Sequence, residues 1–319
     1  MIWNYIIYRT KALIRGQKIK RNGLFEYAGS VKTYQDRPVL DADKLSQELY
    51  NEIQSGNSFM AARFGSTELL NIRYYDFPVN GKYDGNFHFN HLCEWSGFFP
   101  NDSSLLPKFV ALMKESASQV DYMAIWFHPF EDYYIKKLMN KNVKCAYLLN
   151  FEPWSSKSIH WSAALAGKKV LVIHPFTETI KRQYEKRSEI FPGTNILPEF
   201  ELRTVKAVQT LAGTKDARFE NWFEALDWMY EEAMKKDFDI AIIGCGAYGM
   251  PLAAKIKKAG KQAIHLAGAT QLLFGIRGKR WDIDPAFEYV RNWYNDAWVY
   301  PDENDKIENA GKVENACYW

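Results

Sequence analysis

Residues 238–281, FDIAIIGCGAYGMPLAAKIKKAGKQAIHLAGATQLLFGIRGKRW, constrain this chain more than any other stretch. They read as a strand, a glycine-rich turn, an amphipathic helix, a second strand and a loop dense in cations. The turn, Gly244-Cys245-Gly246-Ala247-Tyr248-Gly249, has the spacing Gly-x-Gly-x-x-Gly. Glycines so spaced let a backbone approach phosphate closely, and the helix that follows offers unpaired N–H groups at its positive end. The unit is expected to hold a phosphorylated ligand, with Gly244, Gly246 and Gly249 near its phosphates. A dinucleotide site also needs an acid at the end of the second strand, to hold the ribose hydroxyls. That strand is Gln262-Ala263-Ile264-His265-Leu266 and has none. The basic run beyond it suits a 2′-phosphate in principle, so an NAD(P)-dependent enzyme remains an alternative reading.

The rest of the chain extends this unit. At 319 residues, 47% hydrophobic and 25% charged, it has the composition of a globular protein with room for a sizeable core. Helical periodicity over 43–54, 104–118, 131–140, 157–166, 177–190 and 218–236 alternates with apolar runs at 58–64, 120–127, 144–149, 169–174, 201–207 and 238–243. Such alternation predicts an α/β fold, Rossmann-like, with a mostly parallel sheet and helices on both faces. Ligands in such folds sit outside the carboxyl ends of the strands. Asp41 or Asp43 is available to cap the first of these helices, and Ser66 to cap one starting after the strand at 58–64. Residues 76–102 read as an irregular loop, long enough to suggest function. One α/β domain over 41–285 is expected, with a basic N-terminal arm at 1–40 and a tail at 286–319 packed on the domain.

The arm carries Arg9, Lys11, Arg15, Lys18, Lys20 and Arg21 with no acid before Glu26. Its Ile2, Trp3, Ile6, Ile7, Leu13 and Ile14 are too interrupted to span a bilayer. Two readings stand: a basic amphipathic segment lying on an anionic membrane surface, or a helix packed on its own domain or on a partner. The charges follow the apolar part, which is the wrong order for a signal peptide. Four cysteines without a C-x-x-C pair fit a reducing cytosol and no zinc site. A net charge of +3 is too small to imply nucleic-acid binding. The 11 Trp and 19 Tyr suit sugar-stacking surfaces or an aromatic cleft as well as a core.

Two further clusters carry chemistry. Arg63-Phe64-Gly65-Ser66-Thr67-Glu68 crosses a strand-to-helix turn, where both charged residues can face the ligand crevice. Arg can pair a diphosphate in bidentate fashion, and Glu can bind a divalent cation or a sugar hydroxyl. A bracing Arg63–Glu68 ion pair is the alternative. Beyond the second strand of the glycine unit, Gln271 opens a loop that carries Arg277, Lys279 and Arg280. Three cations there suit the neutralising of a departing pyrophosphate; a solvated charged loop is the plainer account. His128 and His174 end apolar runs at the expected crevice edge. His88 and His91, with Glu94 nearby, have a spacing rarely sufficient for a metal.

Together, Arg63-Phe64-Gly65 with Glu68 and the late strand–glycine turn–helix–strand ending in Gly268 resemble bacterial glycosyltransferases of the GT-D fold. The segment 244–281 and the ending Asn309-Ala310, Val313-Glu314, Cys317-Tyr318-Trp319 look like proteins associated with exopolysaccharide or O-antigen biosynthesis. The similarity covers roughly residues 45–285 at fold level, and only its short motifs are specific. It implies a nucleotide-sugar-dependent glycosyltransferase at the cytosolic side of a cell-surface polysaccharide pathway, with a UDP- or GDP-type donor and a glycan or lipid-linked acceptor. The family's early motif is Arg-Phe-Gly-Asp-Gly-Glu, whose Asp and Glu bind metal; here Ser66 and Thr67 replace the Asp and Gly. Only Glu68 remains to hold Mn²⁺ or Mg²⁺ or to orient the donor sugar. If the reaction inverts, Asp282 is the expected base, and Asp282-x-Asp284 has the spacing of the metal-binding pair of other sugar transferases. Arg63, Arg277, Lys279 and Arg280 would then neutralise the departing diphosphate. A pathway component that keeps the fold without activity is the other alternative.

Overall fold

Alternate burial along the apolar runs builds the sheet. In the computed structural model, which describes residues 2–78, 85–305 and 317–319, successive strand residues enter opposite cores. Met60, Met123, Leu171, Ile173, Ala241 and Ile243 face one core; Ala61, Ala124, Val170, Val172, Ile240 and Ile242 face the other. A sheet apolar on both faces must be covered on both, which favours parallel strands with crossover helices. Among the described residues nine strands result: β1 (Thr33–Tyr34), β2 (Arg37–Leu40), β3 (Met60–Ala62), β4 (Tyr122–Ile125), β5 (Lys144–Tyr147), β6 (Lys169–His174), β7 (Glu201–Lys206), β8 (Ile240–Ile243) and β9 (Gln262–His265). Their order is β1-β2-β5-β4-β3-β9-β8-β6-β7, and every pairing except β1–β2 is parallel. The chain is thus a mixed α/β protein built on a mostly parallel sheet, as the alternation predicts.

Helices Leu106–Ala117, Trp222–Met234 and Gly249–Lys258 cover the first face through Phe109, Met113, Trp222, Met229, Ala253 and Ile256. The helix Ala42–Ser55 covers the second with Leu45, Leu49 and Ile53. Asp41 caps it, accepting from the Lys44 amide at 2.9 Å.

Three local expectations change. The run 157–166 makes only a 3₁₀ turn, Trp161–Leu165. Within 76–102, Gly85–Ser96 is helical, because Phe89, Leu92 and Cys93 recur at helical spacing and reach the core among polar neighbours; residues 79–84 lie outside those described. Ser66 is the first residue of its helix rather than the cap, which is Gly65.

The N-terminal stretch is no detached arm. Residues 33–40 supply β1 and β2, and β2 extends the parallel sheet at β5. Before them, the helix Ile2–Asn22 buries Tyr8 and Arg15, and Tyr5 and Ile19 pack beside them on the same stripe. Arg15 Nη1 donates to Tyr34 Oη at 2.9 Å and pairs with Asp132 at 3.3 Å. The opposite face leaves Ile2, Trp3, Ile6, Ile7, Leu13 and Ile14 exposed, Trp3 at 78%. Among the described residues no helix is long and apolar enough to cross a membrane.

Arg15→Leu should leave Asp132 buried without its cation, an arrangement that typically costs about 3–5 kcal/mol. Urea unfolding should show that loss, and adding Asp132→Asn should recover part of it. An unchanged midpoint in the single variant would mean that the pair does not anchor the helix.

Candidate functional site

The carboxyl ends of β3 through β9 converge on one cleft of about 480 Å³. Its walls include Arg63 and Glu68 after β3, Trp126 after β4, Glu152 after β5 and His174 at the end of β6. Thr210 follows β7, the Gly244–Tyr248 turn follows β8, and Gly268 and Gln271 follow β9. This is the crevice that open parallel sheets offer to ligands, and its size is that of a small-molecule site.

The three glycines serve different contacts. A Cβ on Gly244 would stand 2.6 Å from the Ala267 carbonyl and 2.7 Å from both the His174 ring and Thr270 Oγ1. Gly246 takes φ +57°, in the left-handed region that favours glycine. A Cβ on Gly249 would overlap the His265 ring, so this glycine lets the helix close on β9. Gly244 and Gly246 line the cleft; Gly249 lies behind them, against the sheet. His265 ends β9 where a dinucleotide site would have its acid. Burial holds its ring down to about 3, so the imidazole is neutral at ordinary pH. Both its ring nitrogens, and Trp126 Nε1, are buried without a hydrogen-bond partner among the described residues. Buried polar groups are normally satisfied, so such atoms point to a ligand.

At the early turn, the Glu68 carboxylate folds back over Gly65, where any Cβ would overlap it. Its Oε2 accepts from Thr67 Oγ1 at 3.0 Å, and Thr67 Oγ1 bonds Ser96 Oγ of the helix Gly85–Ser96. The carboxylate also lies in the first turn of its helix, where the dipole favours an anion. Arg63 and Glu68 form no ion pair. Arg63 Nε donates to the Phe64 carbonyl at 3.2 Å, and the guanidinium lies over the Trp126 ring, 5.0 Å from its centroid. Burial lowers its pKa from the usual arginine value, with Tyr318 and Glu68 opposing and Arg280 adding to the effect. A half-buried guanidinium without a carboxylate partner among the described residues is suited to an incoming anion.

The cationic loop divides. Arg280 reaches the cleft, 4.9 Å from the Tyr318 ring centroid. Arg277 turns away: it pairs with Asp282 at 3.4 Å between the rings of Tyr294 and Tyr300, each 4.8 Å distant. Asp282 also accepts from Tyr300 Oη at 2.5 Å. Neither Arg277, Asp282 nor Lys279, which is exposed at its helix start, lines the cleft. The acids that do are Glu68, Glu152 and Asp284. Gln271 lines it, but its Nε2 donates to the carbonyls of Arg277 at 3.0 Å and Tyr318 at 3.2 Å, clamping the loop to the chain end. The ending quoted above is described only at Cys317–Trp319; 309–314 lie outside the described residues.

Of the histidines, His174 lines the cleft and His128 does not. His174 Nδ1 accepts from the Phe176 amide at 3.0 Å, and burial holds the ring down to about 3. His88 stacks on Tyr74 and His91 on Trp95. Among the described residues no group of three or more His, Cys, Asp or Glu is arranged to hold a metal. With Glu68 alone left of the metal motif, the donor set does not fit a resident Mn²⁺ or Mg²⁺. Glu152, Trp126 and Tyr318 were not expected at the site; the available signal was the end of an apolar run for Trp126 and a position just after one for Glu152.

Gly249→Ala should press against His265, an overpacking that typically costs about 1–3 kcal/mol. Thermal or urea unfolding reads this directly, and the pair Gly249→Ala/His265→Ala should recover much of it. A neutral single substitution would show that the helix can shift without cost.

No family model matches this chain, and neither a curated protein nor a solved structure does.

Proposed function

We propose that this chain is a nucleotide-sugar-dependent glycosyltransferase of the GT-D type. One observation carries the reading. A close-packed glycine turn, an Arg63 without a carboxylate partner among the described residues, and Arg280 meet in one cleft at the carboxyl ends of the strands. In this reading the diphosphate of a UDP- or GDP-type donor lies by the turn at Gly244 and Gly246. Arg63 and Arg280 neutralise it as the sugar–oxygen bond breaks, Glu68 orients the sugar through a hydroxyl, and Trp95, Trp126 and Tyr318 supply stacking surfaces. Charge stabilisation of this kind favours the transition state over the bound donor. An NAD(P) site is less well supported, because neutral His265 occupies the place of the ribose-binding acid.

The acceptor in this reading is a glycan or a lipid-linked sugar of exopolysaccharide or O-antigen assembly, reached from the cytosolic side of a membrane. The shared short motifs support that setting. So does the helix Ile2–Asn22, whose free face combines exposed apolar residues with Arg9, Lys11, Lys18, Lys20 and Arg21. An amphipathic face of this composition binds anionic lipid, by about 1 kcal/mol per cation near the surface.

UDP or GDP should raise the melting temperature, while NAD(H) should not. Arg63→Ala and Arg280→Ala should each lower turnover on the order of a hundredfold, with smaller changes in KM; Arg277→Ala should leave it near wild type. Stabilisation by NAD(H) alone, or full turnover in both cleft variants, sinks the assignment.

Vesicles containing phosphatidylserine should bind the full chain and lose it as salt rises, because screening shortens the reach of the charges. The pair Trp3→Ser/Ile6→Ser should weaken this binding without changing stability. Salt-independent binding, or none, would remove the membrane from the reading.

A further inference from the structure

Glu152 is a buried carboxyl at the cleft wall, 5% exposed. Its hydrogen bonds are both to neutral donors: Oε2 accepts from Trp154 Nε1 at 2.9 Å and from Tyr289 Oη at 2.7 Å. Oε1 has no hydrogen bond among the described residues. A carboxyl buried without a cation is expensive to keep charged. The amide oxygen of a glutamine would accept the same two bonds, so the local packing does not call for an ionisable group. What a carboxyl adds at this position is the capacity to take and release a proton.

We propose that Glu152 is the proton acceptor of the transfer reaction, receiving the acceptor hydroxyl's proton on Oε1. This rests on the glycosyltransferase reading. The acceptor O–H bond breaks and its proton passes to Oε1. The freed electron pair on the acceptor oxygen forms the bond to the anomeric carbon. The bond from that carbon to the diphosphate oxygen breaks, and its electron pair leaves with the diphosphate, beside Arg63 and Arg280. A single displacement of this kind inverts the anomeric configuration.

The surroundings set the proton affinity. Burial pushes the Glu152 carboxyl up to about 8, against the pull of Tyr289 and Trp154. Tyr147 at the end of β5 is a titratable neighbour, its own phenol pushed up to about 12 by burial and then by Glu152. A base of that strength, near the working pH, is well matched to a hydroxyl proton. Tyr289, on the helix Glu288–Arg291, is a positioning residue: it stabilises the charged carboxylate by donating to it. Asp282 is held by Arg277 and Tyr300 and does not line the cleft.

The test measures UDP release from UDP-hexoses and GDP release from GDP-hexoses by the full chain, from about pH 6 to about 9.5. Wild-type kcat/KM should rise with pH and level off above about 8, because the charged carboxylate is the active form. Glu152→Gln should lose this rise and at least about a hundredfold in kcat, with UDP or GDP binding by calorimetry unchanged. Tyr289→Phe should shift the rise to higher pH, since the carboxylate loses a donor. Wild-type kcat with the same pH rise in Glu152→Gln overturns the proposal. If that variant does not fold, an unmoved rise in Tyr289→Phe overturns it. Absence of UDP and GDP binding to the wild type overturns the donor reading itself, and the proton step with it.

Discussion

The cleft depends on two close approaches beneath the glycine turn. The His265 ring occupies the space that a side chain at Gly249 would fill; the Ala267 carbonyl, Thr270 and His174 crowd Gly244. These contacts bring the helix Gly249–Lys258 down onto β9 and leave the turn at the floor of the opening. A buried neutral imidazole serves this purpose well. It packs like an apolar ring against Gly249, and neither ring nitrogen is hydrogen-bonded among the described residues.

The charged groups sort by what surrounds them rather than by type. Arg277 and Arg280 are three residues apart, but a turn and a helix start send them to different environments. One is enclosed by Asp282 and two tyrosines, and the other stands beside Tyr318 at the cleft. Two buried glutamates make a similar contrast. Burial pushes both up to about 8. Glu131 accepts from the amides of Trp126 and Phe127, and so holds the backbone where Phe127 takes φ +63°. That is a structural bond, near the Arg15–Asp132 pair that seats the first helix. Glu152 receives only neutral side-chain donors among the described residues and lines the cleft.

The first helix shows why its sequence admitted two readings. Tyr5, Tyr8, Arg15 and Ile19 make one stripe, and Ile2, Trp3, Ile6, Leu13 and Ile14 lie off it. Both sets are apolar enough to bury. Only the domain surface, through Asp132 and Tyr34, selects which stripe turns inward, and the cations then gather around the outward one.

Much of the fold was legible because parallel strands and their helices write their burial into periodic runs. The strand at 169–174 and the amphipathic helix inside 218–236 follow directly from spacing, and so does the strand–turn–helix of the glycine unit. The stretch 76–102 hid a helix because its core-facing residues are diluted by Asn, Gly and His. The candidate site was half legible. Arg63 and Gly244 directly follow a strand, and Glu68 and Gly246 lie in the turn beyond one, positions readable in one dimension, whereas Arg280 reaches the cleft from a later helix. Whether a neighbouring charge faces ligand or partner is not readable in this way. Asp282 meets Tyr300 across 18 positions and Glu152 meets Tyr289 across 137, so each carboxyl's surroundings exist only once the C-terminal segment has folded back. The sequence by itself determined most of the parallel strands from β3 onward and the glycine turn, since both arise from local periodicity and glycine's missing side chain. The tertiary structure alone decided which acids and cations share the cleft, because long-range packing sets burial, and burial sets charge.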